Sequence, residues 1–232
     1  MEQCKSENFD IKQIVTVSKN IRKKILKMAM EAGSSSAHIG GALSIADIVA
    51  TLFFKIMKVD KNNPLNDQRD RFILSKGHAC LAYYASLSEL NYISEDELKT
   101  FEKNDTNLPG HPVMNKNLGI EFSTGSLGMG LSLGIGVALS AIKKKKELNV
   151  YVLLGDGECN EGSVWEAAMA APNFKLKNLH VIIDRNNFQQ TGKNSEIMNL
   201  RNLADKWKSF GWHTQEVDGH DISALVKNFS KL

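Results

Sequence analysis

Cysteine is scarce in this chain of 232 residues, and the three present (Cys4, Cys80 and Cys159) follow no metal-ligand or redox spacing. An odd number cannot pair completely, which excludes a disulfide scaffold and suits a reducing, cytoplasmic setting. Excess charge is also lacking: 29 basic residues against 26 acidic ones leave +3, too little to argue for nucleic acid. The one dense basic run, Lys143 to Lys146, lies between an apolar helical stretch and a strand, as a solvated helix end does. No apolar run reaches the roughly 20 residues that cross a bilayer. The most apolar stretch, Leu127 to Ile142, stops short, and its glycines fit a helix packed closely on a sheet. The first ten residues are polar and acidic, unlike a signal peptide. Repeats, low-complexity segments and linkers are missing too, so residues 1–232 read as one α/β domain, long enough to bury a core.

What is present is a pair of short apolar runs, each ending in an oxygen-bearing side chain. Val150 to Leu154 precedes Gly155-Asp156-Gly157, and Leu179 to Asp184 precedes Asn186, thirty residues beyond Asp156. Both runs read as buried strands. The Ala-rich segment from Glu161 to Ala171, stopping at Pro172, reads as the helix between them. Strand, helix and strand over this length form a βαβ unit with parallel strands, so Asp156 and Asn186 share the carboxyl edge of one sheet. Open α/β sheets bind ligands there. One carboxylate and one amide are too few for Ca²⁺ but suit Mg²⁺, which completes its shell with water and phosphate oxygens. Glycine on both sides of Asp156 lets the backbone approach a phosphate. A tight turn followed by a turn-forming Asn is the plainer reading of Gly-Asp-Gly alone.

Elsewhere, apolar residues at helical spacing span Ile11 to Ala32 and stop at Gly33. Ser44, with Asp47 three residues on, predicts a capped helix through Met57, and Ser94 with Glu97 another through Lys103. Arg71 to Leu74 reads as a strand, Ala79 to Leu90 as a helix and residues 104–118 as loop. A helix from about Asn202 to Phe210, a strand over Trp212 to Val217 and a helix from Ile222 complete the chain.

These residues resemble the transketolase family. Gly155-Asp156-Gly157 followed by Asn186 is similar to the thiamine diphosphate motif of many enzymes. The segments Ser36 to Ser44 (around His38), Asp70 to Ala79 (around Ser75-Lys76-Gly77-His78), Leu108-Pro109-Gly110-His111-Pro112 and Ser123 to Gly130 (around Gly125-Ser126-Leu127) resemble four motifs of that family, in its order. The first reads Ala and Ile where Gly and Pro are common. The resemblance implies a thiamine diphosphate-binding fold, a parallel sheet with helices on both faces. It implies Asp156, Asn186 and the Phe188 carbonyl as Mg²⁺ ligands, and His78 and Gly157 at the diphosphate. Gly125, Ser126 and Leu127 would meet the aminopyrimidine edge. His38 and His111 would face sugar hydroxyls and assist proton transfer, for which imidazole is suited by a pKa near neutrality. Glu161 and Glu166 match acids near the family's subunit contact, although acids at a helix start need no such role.

The implied reaction moves a two-carbon ketol unit between sugar phosphates. The glutamate that activates the cofactor belongs, in the family, to a pyrimidine-binding domain, so a carboxy-terminal partner chain is expected. The family also continues past Asp218-Gly219-His220-Asp221 with a strand and a histidine loop. Their absence leaves open a second reading, a truncated non-catalytic subunit that stabilises or regulates a partner transketolase chain. A dinucleotide loop at Gly128, Gly130 and Gly134 is a weaker rival, because lysines stand where its acidic residue should be. His180, His213 and His220 read as structural. Cys159 lies within the cofactor loop, either as a reactive thiol or, more simply, as a small residue in a tight turn.

Overall fold

The computed structural model describes residues 9–33 and 37–231, which leaves Ser36 of the first histidine motif outside the described residues. The chain divides into two compact units. The first comprises residues up to Asp70, Gly77–Gly125 and Asp218–Leu232; the second comprises Arg71–Lys76 and Ser126–Val217.

The first unit is helical. Asp10 and Gln13 exchange side-chain-to-backbone hydrogen bonds at 2.8 Å and so cap α1 (Ile11–Ala32) reciprocally. Ile14, Val17, Ile21, Ile25 and Met28 form its buried stripe, and Gly33 ends it at φ +58°. The helix expected from Ser44 begins earlier and is broken. α2 (Ile39–Ser44) stops at Ile45, and α3 (Ala46–Thr51) runs on into a wider π turn over Leu52–Ile56. Ser44 is the last residue of α2, and Ile45 holds the cap position of α3; the Asp47 carboxylate accepts from Ser18 on α1 and from Arg22, at 3.0 and 2.6 Å. Charged tertiary partners outcompete a local cap at this position. α4 (Cys80–Glu89) is buried from Cys80 through Ser88, as befits the central helix of the unit. α5 (Glu95–Leu98), capped by Ser94, is one turn long and ends before the expected Lys103.

The second unit is a parallel sheet with helices. β1 (Arg71–Leu74) pairs with β2 (Val150–Gly155), and β2 pairs with β3 (Leu179–Asp184), in the order β1-β2-β3. β2 is buried throughout because it has a neighbour on each side and helix above it. α6 (Gly130–Lys143) lies on the sheet at Gly134, where a Cβ would come within 2.5 Å of a Val152 methyl. Gly136, by contrast, has open space around it, so close packing does not explain every glycine of this helix. α7 (Gly162–Asn173) packs on α6 and carries Pro172 in its last turn rather than stopping before it.

After β3, a two-residue hairpin joins β4 (Phe188–Gln189) to β5 (Gly192–Lys193). α8 (Asn194–Ile197) and α9 (Leu203–Ser209) follow, with Asn202 capping α9. Trp212 to Val217 forms no strand. Trp212 is held by its side chain, whose Nε1 donates to the Ala168 carbonyl at 2.7 Å while its ring packs edge-on against Trp207. β-branched and aromatic composition favours a strand only where a neighbouring strand offers a ladder. The last helix, Ile222–Phe229, belongs to the first unit. Among the described residues no helix is long and apolar enough to cross a membrane.

Candidate functional site

At the carboxyl edge of the sheet, Gly155 is in register with Asp184, and the Asp156 amide extends the ladder by donating to the Asp184 carbonyl at 3.1 Å. Asp156 is 2% exposed. One carboxylate oxygen accepts from the Gly157 amide at 2.8 Å and the other from the Asn187 amide at 2.7 Å. Asn187 takes φ +64°, a left-handed conformation that Asn tolerates, and this turns its amide back to the carboxylate. The Asn186 side-chain oxygen accepts from the Phe188 amide at 2.9 Å, and its nitrogen faces the Asp184 carboxylate at 3.4 Å.

Each oxygen of Asp156, and that of Asn186, therefore keeps lone-pair capacity beyond its one backbone donor. The set is all-oxygen and short-sided, with a single negative charge, which fits Mg²⁺. Among the described residues no group of three or more His, Cys, Asp or Glu side chains could hold a metal, so a cation here would rely on neutral oxygens and ligand phosphate. Gly157 sits so close to Gln189 that a Cβ would approach its Cβ to 2.9 Å. A cavity of about 280 Å³ opens beside Asp156, lined also by Asn187, Phe188, Lys193, Asn194 and Leu203. Asn194 is 6% exposed with both side-chain polar atoms unpaired, a cost normally offset by a partner.

Two buried acids, neither of them expected as a site residue, support this edge. Glu158 accepts from the Ser75 hydroxyl, from the Gly128 amide at 2.8 Å and from the Gly155 amide at 3.0 Å. It thereby joins the end of β1, the end of β2 and the loop before α6. Burial pushes its carboxyl up, while those three bonds and the Lys76 charge pull against that. Lys76, 1% exposed, donates to Asp184 at 2.6 Å. The available signals were an acid two residues before Asn186 and a lysine closing a strand; neither is specific without the fold.

In the helical unit, three histidines distant in sequence converge. The His38 ring centroid lies 5.4 Å from that of His78 and 6.2 Å from that of His111. His38 precedes α2, and His78 lies in the single 3₁₀ turn Gly77–Ala79 before α4. His111 rides on a loop held to α4, where the Tyr84 hydroxyl donates to the Pro109 carbonyl at 2.8 Å and the Cys80 thiol to that of Gly110 at 3.1 Å. Gly125 belongs to the same cluster. At φ +148°, a Cβ on it would come within 3.0 Å of the His111 ring, and one on Gly77 within 2.8 Å of the Gly125 amide.

Ser126 and Leu127, the next two residues, fall in the sheet unit; Ser126 is exposed and Leu127 half-buried. Glu161, exposed, stands at the amino-terminal cap position of α7 without a capping bond from its side chain. His180 stacks on Tyr151 at 5.0 Å, and burial pushes its pKa down to about 4. His213 is exposed, and His220 Nδ1 lies 2.9 Å from Asp47. Burial, with the nearby Glu158 and Asp156 charges, pushes the Cys159 thiol up to about 12. It is a small packed residue and not a reactive one.

The family model described as transketolase, thiamine diphosphate binding domain, matches residues 16–231, across both units. An apulose-4-phosphate transketolase subunit of Actinobacillus succinogenes is 39% identical over 226 residues, covering 97% of this chain and 81% of that protein. The 6-deoxy-6-sulfo-D-fructose transketolase subunit of a Clostridium species is 42% identical over 189 residues, covering 82% of this chain and 69% of that one. The crystal structure of transketolase from Campylobacter jejuni superposes with a TM-score of 0.87 at 29% identity, covering 96% of this chain and 36% of the solved one. The chain thus spans about a third of that transketolase's length. With its fold, its family match and these relatives in agreement, the chain belongs to the transketolase family, carrying that family's amino-terminal thiamine diphosphate-binding domain.

Proposed function

We propose that this chain is the cofactor-holding subunit of a transketolase-type transferase. It would move a two-carbon ketol unit between sugar phosphates with thiamine diphosphate and Mg²⁺, joined by a carboxy-terminal partner chain that carries the pyrimidine domain. The observation that carries this reading is the Asp156–Asn186 pair, one buried carboxylate and one oriented amide at adjoining strand ends. Both the Actinobacillus and the Clostridium relatives are named as subunits of a transketolase, which supports the expectation of a partner.

In the sheet unit, Asp156, the Asn186 side chain and the Phe188 carbonyl would hold the cation, with the Gly157 backbone close to the diphosphate. Ser126 and Leu127 would line the aminopyrimidine edge. In the helical unit, His78 would contact the diphosphate, Gly125 the aminopyrimidine edge, and His38 and His111 the sugar. When bound, thiamine diphosphate supplies the electron sink needed to break a carbon–carbon bond beside a carbonyl. His38 and His111 would bind hydroxyl groups and hold or accept the proton of the one that becomes a carbonyl. Glu161 and Glu166 would lie toward the subunit contact.

Calorimetry on Asp156→Ala tests the metal assignment: Mg²⁺-dependent thiamine diphosphate binding should vanish while the circular dichroism spectrum is retained. Unchanged affinity would sink it. The purified chain alone should show no ketol transfer, and a partner chain with the pyrimidine domain should restore it. Failure of every such partner to restore turnover, with cofactor binding intact, would favour the non-catalytic reading.

A further inference from the structure

We propose that Asp184, anchored by Lys76, is the positioning residue that turns the Asn186 amide oxygen toward the cation; the inference rests on the metal reading above. An amide side chain can bind a cation only through its oxygen, yet rotation by half a turn about its last bond presents the nitrogen instead. One arrangement persists only when an acceptor faces the nitrogen and a donor faces the oxygen. Both are present. The Asp184 carboxylate faces the Asn186 nitrogen at 3.4 Å, and the Phe188 amide faces its oxygen at 2.9 Å.

Asp184 also holds the other proposed ligand, because its carbonyl accepts from the Asp156 amide at 3.1 Å. One residue at the end of β3 thus positions Asp156 through the backbone and Asn186 through the side chain. A carboxylate only 5% exposed needs a countercharge, and Lys76 supplies it at 2.6 Å from the end of β1. Were the pair only structural, two apolar side chains of similar size would serve as well, since such replacements are often neutral. They could not accept from Asn186.

That difference defines the test. Lys76→Met/Asp184→Asn removes both charges but keeps a carbonyl acceptor for Asn186, whereas Lys76→Met/Asp184→Leu removes the acceptor as well. Mn²⁺ serves as the probe, its binding followed by water-proton relaxation in the presence of thiamine diphosphate, a readout independent of turnover. Thermal midpoints are recorded in parallel. The Asn form should bind Mn²⁺ within about threefold of the native chain, and the Leu form roughly 10–100-fold more weakly at a similar midpoint. Equal affinities of the two double variants would overturn the proposal. If Leu does not pack, Lys76→Met/Asp184→Ala makes the same comparison. Asp156→Ala, measured alongside, separates the two readings. Should it leave Mn²⁺ binding unchanged, the metal site and the positioning role both fall. Should it abolish binding while the double variants remain equal, only the positioning role does.

Discussion

Asp47 offers the sharpest test of how the helical unit is held together. Its carboxylate, 7% exposed, takes both Arg22 guanidinium nitrogens, the Ser18 hydroxyl and His220 Nδ1, tying α1, α3 and the segment before the last helix to one side chain. Asp47→Ala would strip four contacts and leave Ser18, 2% exposed, without this acceptor. Breaking a buried pair costs about 3–5 kcal/mol. The Arg22 side chain is 31% exposed and can recover water, which places the loss near the lower end, at about 3 kcal/mol. For a chain of this size, that lowers the thermal midpoint by roughly 6–12 °C.

Burial raises the Asp47 carboxyl, but the bonds from Arg22, Ser18 and His220 and the Arg22 charge outweigh it, so its folded pKa lies below the ordinary 3.8. The stabilisation is then complete above the unfolded pKa and lost as pH falls through the lower folded value. Asp47→Asn should be less stable than the native chain at pH 7 and converge with it only as the pH drops below about 4. Scanning calorimetry from pH 7 to 3 reads both effects. A loss under about 1 kcal/mol for Asp47→Ala, or a native–Asn gap unchanged at pH 3, would refute the argument.

Gly130→Ala places a Cβ 2.8 Å from the Ser75 Cα and threatens the 3.1 Å bond from Gly130 to Ser75, so overpacking of about 1–3 kcal/mol should exceed the helix-propensity gain of at most about 1 kcal/mol; a raised melting point would show the reverse. In a reconstituted complex, His78→Ala should chiefly weaken cofactor affinity, whereas His38→Ala and His111→Ala should leave it nearly unchanged. Whichever of those two moves protons should lose roughly a hundredfold or more in kcat/KM. His213→Ala, at an exposed position, is the control, and loss of turnover there with silent His38 and His111 variants would discard these roles. His180 stays neutral in the fold down to about pH 4 but protonates near 6.5 when unfolded, so stability should fall by up to about 3 kcal/mol between those values and level off below. His180→Leu should lessen that fall in urea titrations at pH 7 and 4.5; identical losses in both proteins would contradict it.

The sequence by itself determined the elements whose burial is periodic or continuous. α1 was legible from its stripe and its terminal Gly33, and β2 and β3 from apolar runs ending in Gly155-Asp156-Gly157 and Asp184. Because a βαβ connection forces parallel strands, the meeting of Asp156 and Asn186 followed from spacing alone. The same logic failed where local preference met a long-range partner. Ser44 ends α2 instead of opening a capped helix, with Asp47 drawn to Arg22, and Trp212 is held by its indole in a segment that forms no ladder. Only the tertiary structure decided which polar groups share a partner. It brought the His38 ring against those of His78 and His111, paired Lys76 with Asp184 across 108 residues and joined the ends of β1 and β2 to the loop before α6 through Glu158. Hydrophobic period records which face of an element is buried, whereas a hydrogen bond between loops depends on strand register and the course of each connection, which no local pattern encodes.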